Sequence, residues 1–215
     1  MRKYEYLKEW TMEEWRKRGC PHPFPVDRYN SFGELSLEKI EKAEAKLGFQ
    51  FPSQLREFYL EIGCGNLVAP YNTTDENYHF GNSNEILPPM VVAEFYKPLG
   101  HDPRGEEPEE WLHSSDEQYA MSPDHYICMA KDCMPFFHMN SSRFLTFMPH
   151  SSNPNAVWDD FGEHIVEESF EKFIWRLYYE DPAYYDDVIT AYMEKQEAQA
   201  PSSLMSLECA NDNTD

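Results

Sequence analysis

ELSLEKIEKAEAKLGFQFPSQLREFYLEIGCGNL, residues 34–67, decides how the rest of the chain is read. Leu37, Ile40, Ala43 and Leu47 recur at helical spacing and share one face. Gly48 follows where a left-handed cap belongs, because a residue without a Cβ turns left at little steric cost. Pro52 suits the first turn of a second helix, where its missing N–H is one the helix would not use. Leu55, Phe58, Tyr59 and Ile62 lie on one face of that helix, and Gly63 ends it. The expectation is a helix pair joined by a tight GFQFP turn, its two apolar stripes forming one core face.

Upstream, residues 4–18 read as a short helix with Tyr4, Leu7, Trp10 and Trp15 available for one face, ended by Gly19. PHPFPV (21–26) is an extended connector, since three prolines remove donors and fix their backbone angles. Downstream, NLVAPY (66–71) and NEILPP (84–89) look extended, and MVVAEFYK (90–97) fits helix or strand equally. Residues 98–122 form a polar, acidic excursion with an expected helical turn at Glu109–His113. YICMA (126–130), PFFHM (135–139), RFLTFM (143–148) and AVWDD (156–160) read as short strands. A helix follows Glu167 with Phe170, Phe173, Ile174, Leu177 and Tyr178 inward, and another spans about 183–198 after Pro182. The expected organisation is one domain over residues 1–199, with a helical N-terminal extension, and a disordered tail at 200–215.

Hydrophobic residues make up 41% of the 215 and aromatics 15%, too many for a wholly disordered chain. The charge is lopsided. Residues 1–60 hold 11 basic and 10 acidic side chains; residues 61–215 hold 7 and 29, a balance of -22. Such a field repels phosphate backbones and anionic membranes, which argues against nucleic-acid and membrane partners. It attracts a basic protein and speeds the encounter. The five scattered cysteines do not form the even framework of a small secreted domain, and the opening MRKYEYLKEW has no apolar signal core. A cytoplasmic protein is expected.

No catalytic pattern stands out. Cys128 and Cys133, with His125 and His138 nearby, are off the spacing of a zinc site. The eight histidines form no HExxH, and no GxSxG is present. Gly63-Cys64-Gly65 follows a helix, so capping accounts for its glycines. Asp159-Asp160, Glu167-Glu168 and Asp186-Asp187 are adjacent acids that point different ways. Neither metal nor cofactor is expected, and the chain is expected not to be an enzyme. Partner contact is expected instead from Trp111 among Glu106, Glu107, Glu109 and Glu110, from Asp116, and from Trp158, Asp159 and Asp160.

The helix pair carries a resemblance. Ile40, Glu41 and Glu44, then Leu47-Gly48, Phe51-Pro52, Leu55, Phe58-Tyr59 and Gly63-Cys64-Gly65, resemble the Smi/Knr-type (SUKH) superfamily. ILPP (86–89) and ESFEKFIWRL (168–177) resemble its later extended segment and closing helix, so the likeness spans roughly residues 30–178. Residues 98–122 depart from it. The resemblance implies an α+β fold with a central, mostly antiparallel sheet flanked by helices. It also implies protein binding: bacterial members look like immunity proteins that neutralise a toxin domain, often a nuclease. The alternative implied function is a regulator or scaffold in cell-wall synthesis and signalling. The matched Gly48, Pro52, Gly63 and Gly65 are structural under this reading, and no catalytic residue is implied.

Overall fold

Ser36 begins the helix pair. Its hydroxyl accepts from the Lys39 N–H at 3.3 Å, capping helix α1 (Leu37–Leu47). Gly48 closes α1 at φ +82°, and helix α2 (Ser53–Glu61) starts directly after Pro52. Glu44 holds the turn between them. One oxygen of its buried carboxylate accepts from the Phe51 N–H (3.1 Å) and from Arg56 Nε (2.9 Å). In this computed structural model the described residues are 3–10, 31–67, 84–99, 112–116, 119–122, 126, 128–139, 143–179 and 191.

Gly63, at φ +109°, turns the chain from α2 into strand β2 (Cys64–Asn66), which pairs antiparallel with β1 (Ser31–Gly33). A Cβ on Gly63 would lie 2.0 Å from the Gly33 carbonyl oxygen, and one on Gly65 2.1 Å from that of Ser31. Capping therefore explains only Gly63; Gly65, at φ +134°, is needed because β1 passes against its backbone. The sheet continues through β3 (Glu85–Ile86). Beside that sheet stands a separate hairpin of β4 (Leu112–His113) and β5 (Ala120–Met121). Strands β6 (Met134–Met139), β7 (Arg143–Phe147), β8 (Val157–Asp159) and β9 (Ile165–Glu167) complete a seven-stranded antiparallel sheet, ordered β1-β2-β3-β6-β7-β8-β9. The expected α+β architecture is the observed one.

Helix α3 (Pro89–Phe95) packs on α1 and β6, and α4 (Phe170–Tyr179) contacts β9 and α2. Phenylalanines fill the centre. The Phe136 ring lies 4.2 Å from Phe147 and 5.5 Å from Phe170, and Phe137 meets Phe173 edge-on at 5.2 Å.

Several local expectations change. Residues 90–97, ambiguous in sequence, carry all of α3 but its first residue, Pro89, which with Pro88 starts the helix. The strand expected at 126–130 is absent from the described part of that run. Tyr126 instead closes a helical turn on the Ser122 carbonyl (3.0 Å), and the Tyr126 and Met129 carbonyls receive the buried Lys97 Nζ at 2.8 and 2.7 Å. A five-residue apolar run cannot tell these outcomes apart, and a buried ammonium needing acceptors decided it. Of the helical turn expected at Glu109–His113, residues 109–111 lie outside the described residues, and Leu112–His113 are strand, with Leu112 paired to Met121. Strand β9 was not anticipated; three residues are too few to show alternation. Of the N-terminal helix, Glu5–Trp10 form a 3-10 helix. Residues 11–26 lie outside the described residues, as do 68–71, 183–198 apart from 191, and 200–215. No helix among the described residues is long and apolar enough to cross a membrane.

Candidate functional site

The expected contact residues fall in separate places. Glu106, Glu107, Glu109, Glu110 and Trp111 lie outside the described residues. Asp116 is exposed in the β4–β5 connection, where its N–H donates to the Ser114 hydroxyl (3.1 Å) and its carbonyl accepts from that hydroxyl and from the Tyr119 N–H. The hairpin is tied to the body twice. The Ser115 N–H donates to Glu94 on α3 (2.7 Å), and the Tyr119 hydroxyl donates to Glu85 on β3. Burial pushes the Glu85 carboxyl up, partly offset by that hydroxyl.

Trp158 sits mid-strand on β8, opposite Thr146 and Ile165, and is half-buried. Asp159 and Asp160 are only 3% and 5% exposed. Asp159 Oδ1 accepts from the Glu163 N–H (2.9 Å) and the His164 N–H (3.3 Å), so its carboxylate shapes the β8–β9 turn. Burial pushes Asp160 up to about 6, against the opposing pull of Arg143. The turn that Asp159 holds exposes Phe161 and Glu163. Strands β6 and β7 separate β8 from β3, where the hairpin is tied, so three strand spacings, about 14 Å, lie between these two groups.

The suspected metal cluster is not assembled among the described residues. Cys133 is buried, its Sγ donates to the Asp160 carbonyl at 3.7 Å, and burial pushes the thiol up to about 12. Cys128 is exposed, and His138 stacks on Phe144 with its pKa lowered by burial. His125 lies outside the described residues, and no three His, Cys, Asp or Glu side chains among those described are placed to hold a metal.

Two polar arrangements were missed in the sequence. Asp132, buried at φ +64°, accepts from the Tyr96 hydroxyl (3.0 Å) and the His150 N–H (2.9 Å), and contacts His150 Nδ1 at 2.6 Å. It ties the end of α3 to the turns before β6 and after β7. The other is an acidic cleft between α2 and α4. Glu57 and Glu61 from α2 and Glu171 from α4 meet there around the N-terminal Lys3 and Tyr4. Sequence separations of 54 and more hide it; the only local signal was the pairing of Tyr4 with Leu7.

A helix pair capped by glycines, an antiparallel sheet and a closing helix define an α+β domain of the SUKH kind. The chain belongs to the SMI1 / KNR4 family (SUKH-1), whose model matches residues 34–176. It is similar to a protein of Bacillus subtilis (strain 168) named "Immunity protein YxxD", 23% identical over 161 residues that cover 74% of this chain and 91% of that one. No solved structure matches it. The N-terminal segment that fills the acidic cleft precedes the family match.

Proposed function

We propose that this chain is an immunity protein, a non-catalytic binder that neutralises a cognate bacterial toxin domain with a basic surface. The observation that carries the reading is the -22 balance of residues 61–215 on a fold whose relative is named an immunity protein. A nuclease toxin needs cationic groups for phosphates, and an acidic protein can occupy that groove in their place. The contact surface is formed by Glu106, Glu107, Glu109, Glu110 and Trp111 with Asp116. Trp158 contributes at the β8–β9 end, beside Asp160 and where Asp159 holds the turn that presents Phe161 and Glu163. Co-expression with the toxin domain encoded by an adjacent gene tests this. A stoichiometric complex that protects the host and weakens as salt rises is expected. Absence of any complex with the adjacent toxin domains overturns it.

A further inference from the structure

The cleft between α2 and α4 holds a short peptide in a way that reads as recognition rather than incidental packing. Tyr4 and Leu7 are both fully buried. The Tyr4 ring sits edge-on to Phe58 at 5.1 Å and Phe170 at 6.2 Å, and its hydroxyl donates to the Gln54 carbonyl at 3.3 Å. The Glu61 carboxylate receives two successive backbone N–H groups, from Lys3 (3.0 Å) and Tyr4 (2.7 Å). Lys3 Nζ lies between Glu57 at 3.0 Å and Glu171 at 3.1 Å. Each element recognises a different feature: a cation, a pair of main-chain donors and an aromatic ring. The occupant's Lys-Tyr-x-x-Leu pattern spans residues 3–7 and precedes the family match at 34–176.

We infer that this cleft is a peptide-binding site for a segment carrying a lysine followed by an aromatic residue. Residues 3–7 are its removable occupant, and a basic segment of the partner protein is its competitor. Only the identity of the competitor rests on the proposed function. Charge complementarity sets the partner's chemistry, because two carboxylates, Glu57 and Glu171, flank the one ammonium and a third, Glu61, takes the main-chain donors beside it. While tethered, the occupant competes at the high effective concentration of an intramolecular ligand, so the site opens only to a partner that binds well.

The test uses the chain lacking residues 1–10 and a synthetic peptide of sequence MRKYEYLKEW, followed by calorimetry. The truncated chain is expected to fold and bind the peptide one-to-one. The full chain should bind it at least about tenfold more weakly, because its cleft is filled. Glu61→Gln in the truncated chain should weaken binding on the order of tenfold, the scale of a charged hydrogen bond. As a second route, Tyr4→Ala with Leu7→Ala in the full chain should gain peptide binding. No binding to the folded truncated chain, equal binding by the full chain, or loss of the fold in both variants overturns the inference. A toxin domain that binds the truncated chain without displacing the peptide overturns the shared site alone. A toxin domain that does not bind at all speaks against the proposed function and leaves the cleft standing.

Discussion

The two ends of the sheet meet the same need for close packing with different chemistry. At the β1–β2 end, Gly63 and Gly65 carry no side chain, so the backbone of β1 comes within what would be 2.0 and 2.1 Å of a Cβ. At the β8–β9 end, carboxylates lie inside: Asp159 holds its turn, Asp160 is pushed up to about 6, and Glu167 takes Lys172 at 2.7 Å and Arg176 at 3.1 Å. The first end is a constraint of shape, which no pH relieves. The second is a constraint of charge, and its stability follows the proton.

The sharpest way to break that contrast is Gly65→Val. Its Cβ would meet backbone on a paired strand, which cannot move aside without losing the ladder, so a loss of more than about 3 kcal/mol is expected. Denaturant unfolding measures it, at neutral and at acid pH, with the same deficit at both. Gly48→Ala supplies the control. That position has φ +82° but nothing within 4 Å of a Cβ, so only about 1 kcal/mol should be lost. A Gly65 variant no worse than the Gly48 variant would show that β1 does not lie where the register places it.

Glu44→Ala comes next. It strips a buried acceptor from the Phe51 N–H and from Arg56, and about 2 kcal/mol should be lost. Glu44→Gln keeps one acceptor and should recover part of that. Equal melting temperatures for the two would mean that the carboxylate's charge, rather than its place in the turn, is what matters.

How much of this was legible follows from the range of the interactions. The helix pair was plain because its stripe, its Gly48 cap and Pro52 all act within a few residues of each other. The strands β6 and β7 were plain because both are five or six residues of nearly unbroken burial. Lys97 could not be foreseen. Its two carbonyl acceptors, on Tyr126 and Met129, lie 29 and 32 residues away. Asp159 and Asp160 were expected at the surface because adjacent acids usually face water, yet the backbone N–H groups of the next turn hold the Asp159 carboxylate inside, and Arg143 with the Asp160 and Phe144 backbone partly offsets the burial of Asp160. The acidic excursion around Trp111 remains a reading of composition, since its residues lie outside those described.

Glu167→Gln probes the charged end directly. Burial alone pushes Glu167 up, but hydrogen bonds from Lys172 and Arg176 more than offset it and hold the carboxyl below its ordinary value. A group held low in the folded state contributes stability above its unfolded pKa and loses it as pH falls through the folded one. The variant should melt lower than the parent at pH 7, and the gap should close in acid. A gap that stays constant into acid would assign the loss to packing.

Asp160→Asn carries the opposite sign. Burial raises this carboxyl from an ordinary 3.8 to about 6, so the folded protein prefers it neutral. Its contribution is therefore most favourable below its ordinary value and is lost as pH rises through about 6. An amide of the same shape is neutral throughout. The variant should melt above the parent at pH 8 and match it near pH 4, the reverse of the Glu167 trend measured in the same buffers. A variant that melts below the parent at pH 8 would mean that the ionised group gains more from Arg143 and its backbone donors than burial costs it. The two buried acids would then act alike, and the β8–β9 end would be held by its charges at every pH where they are ionised.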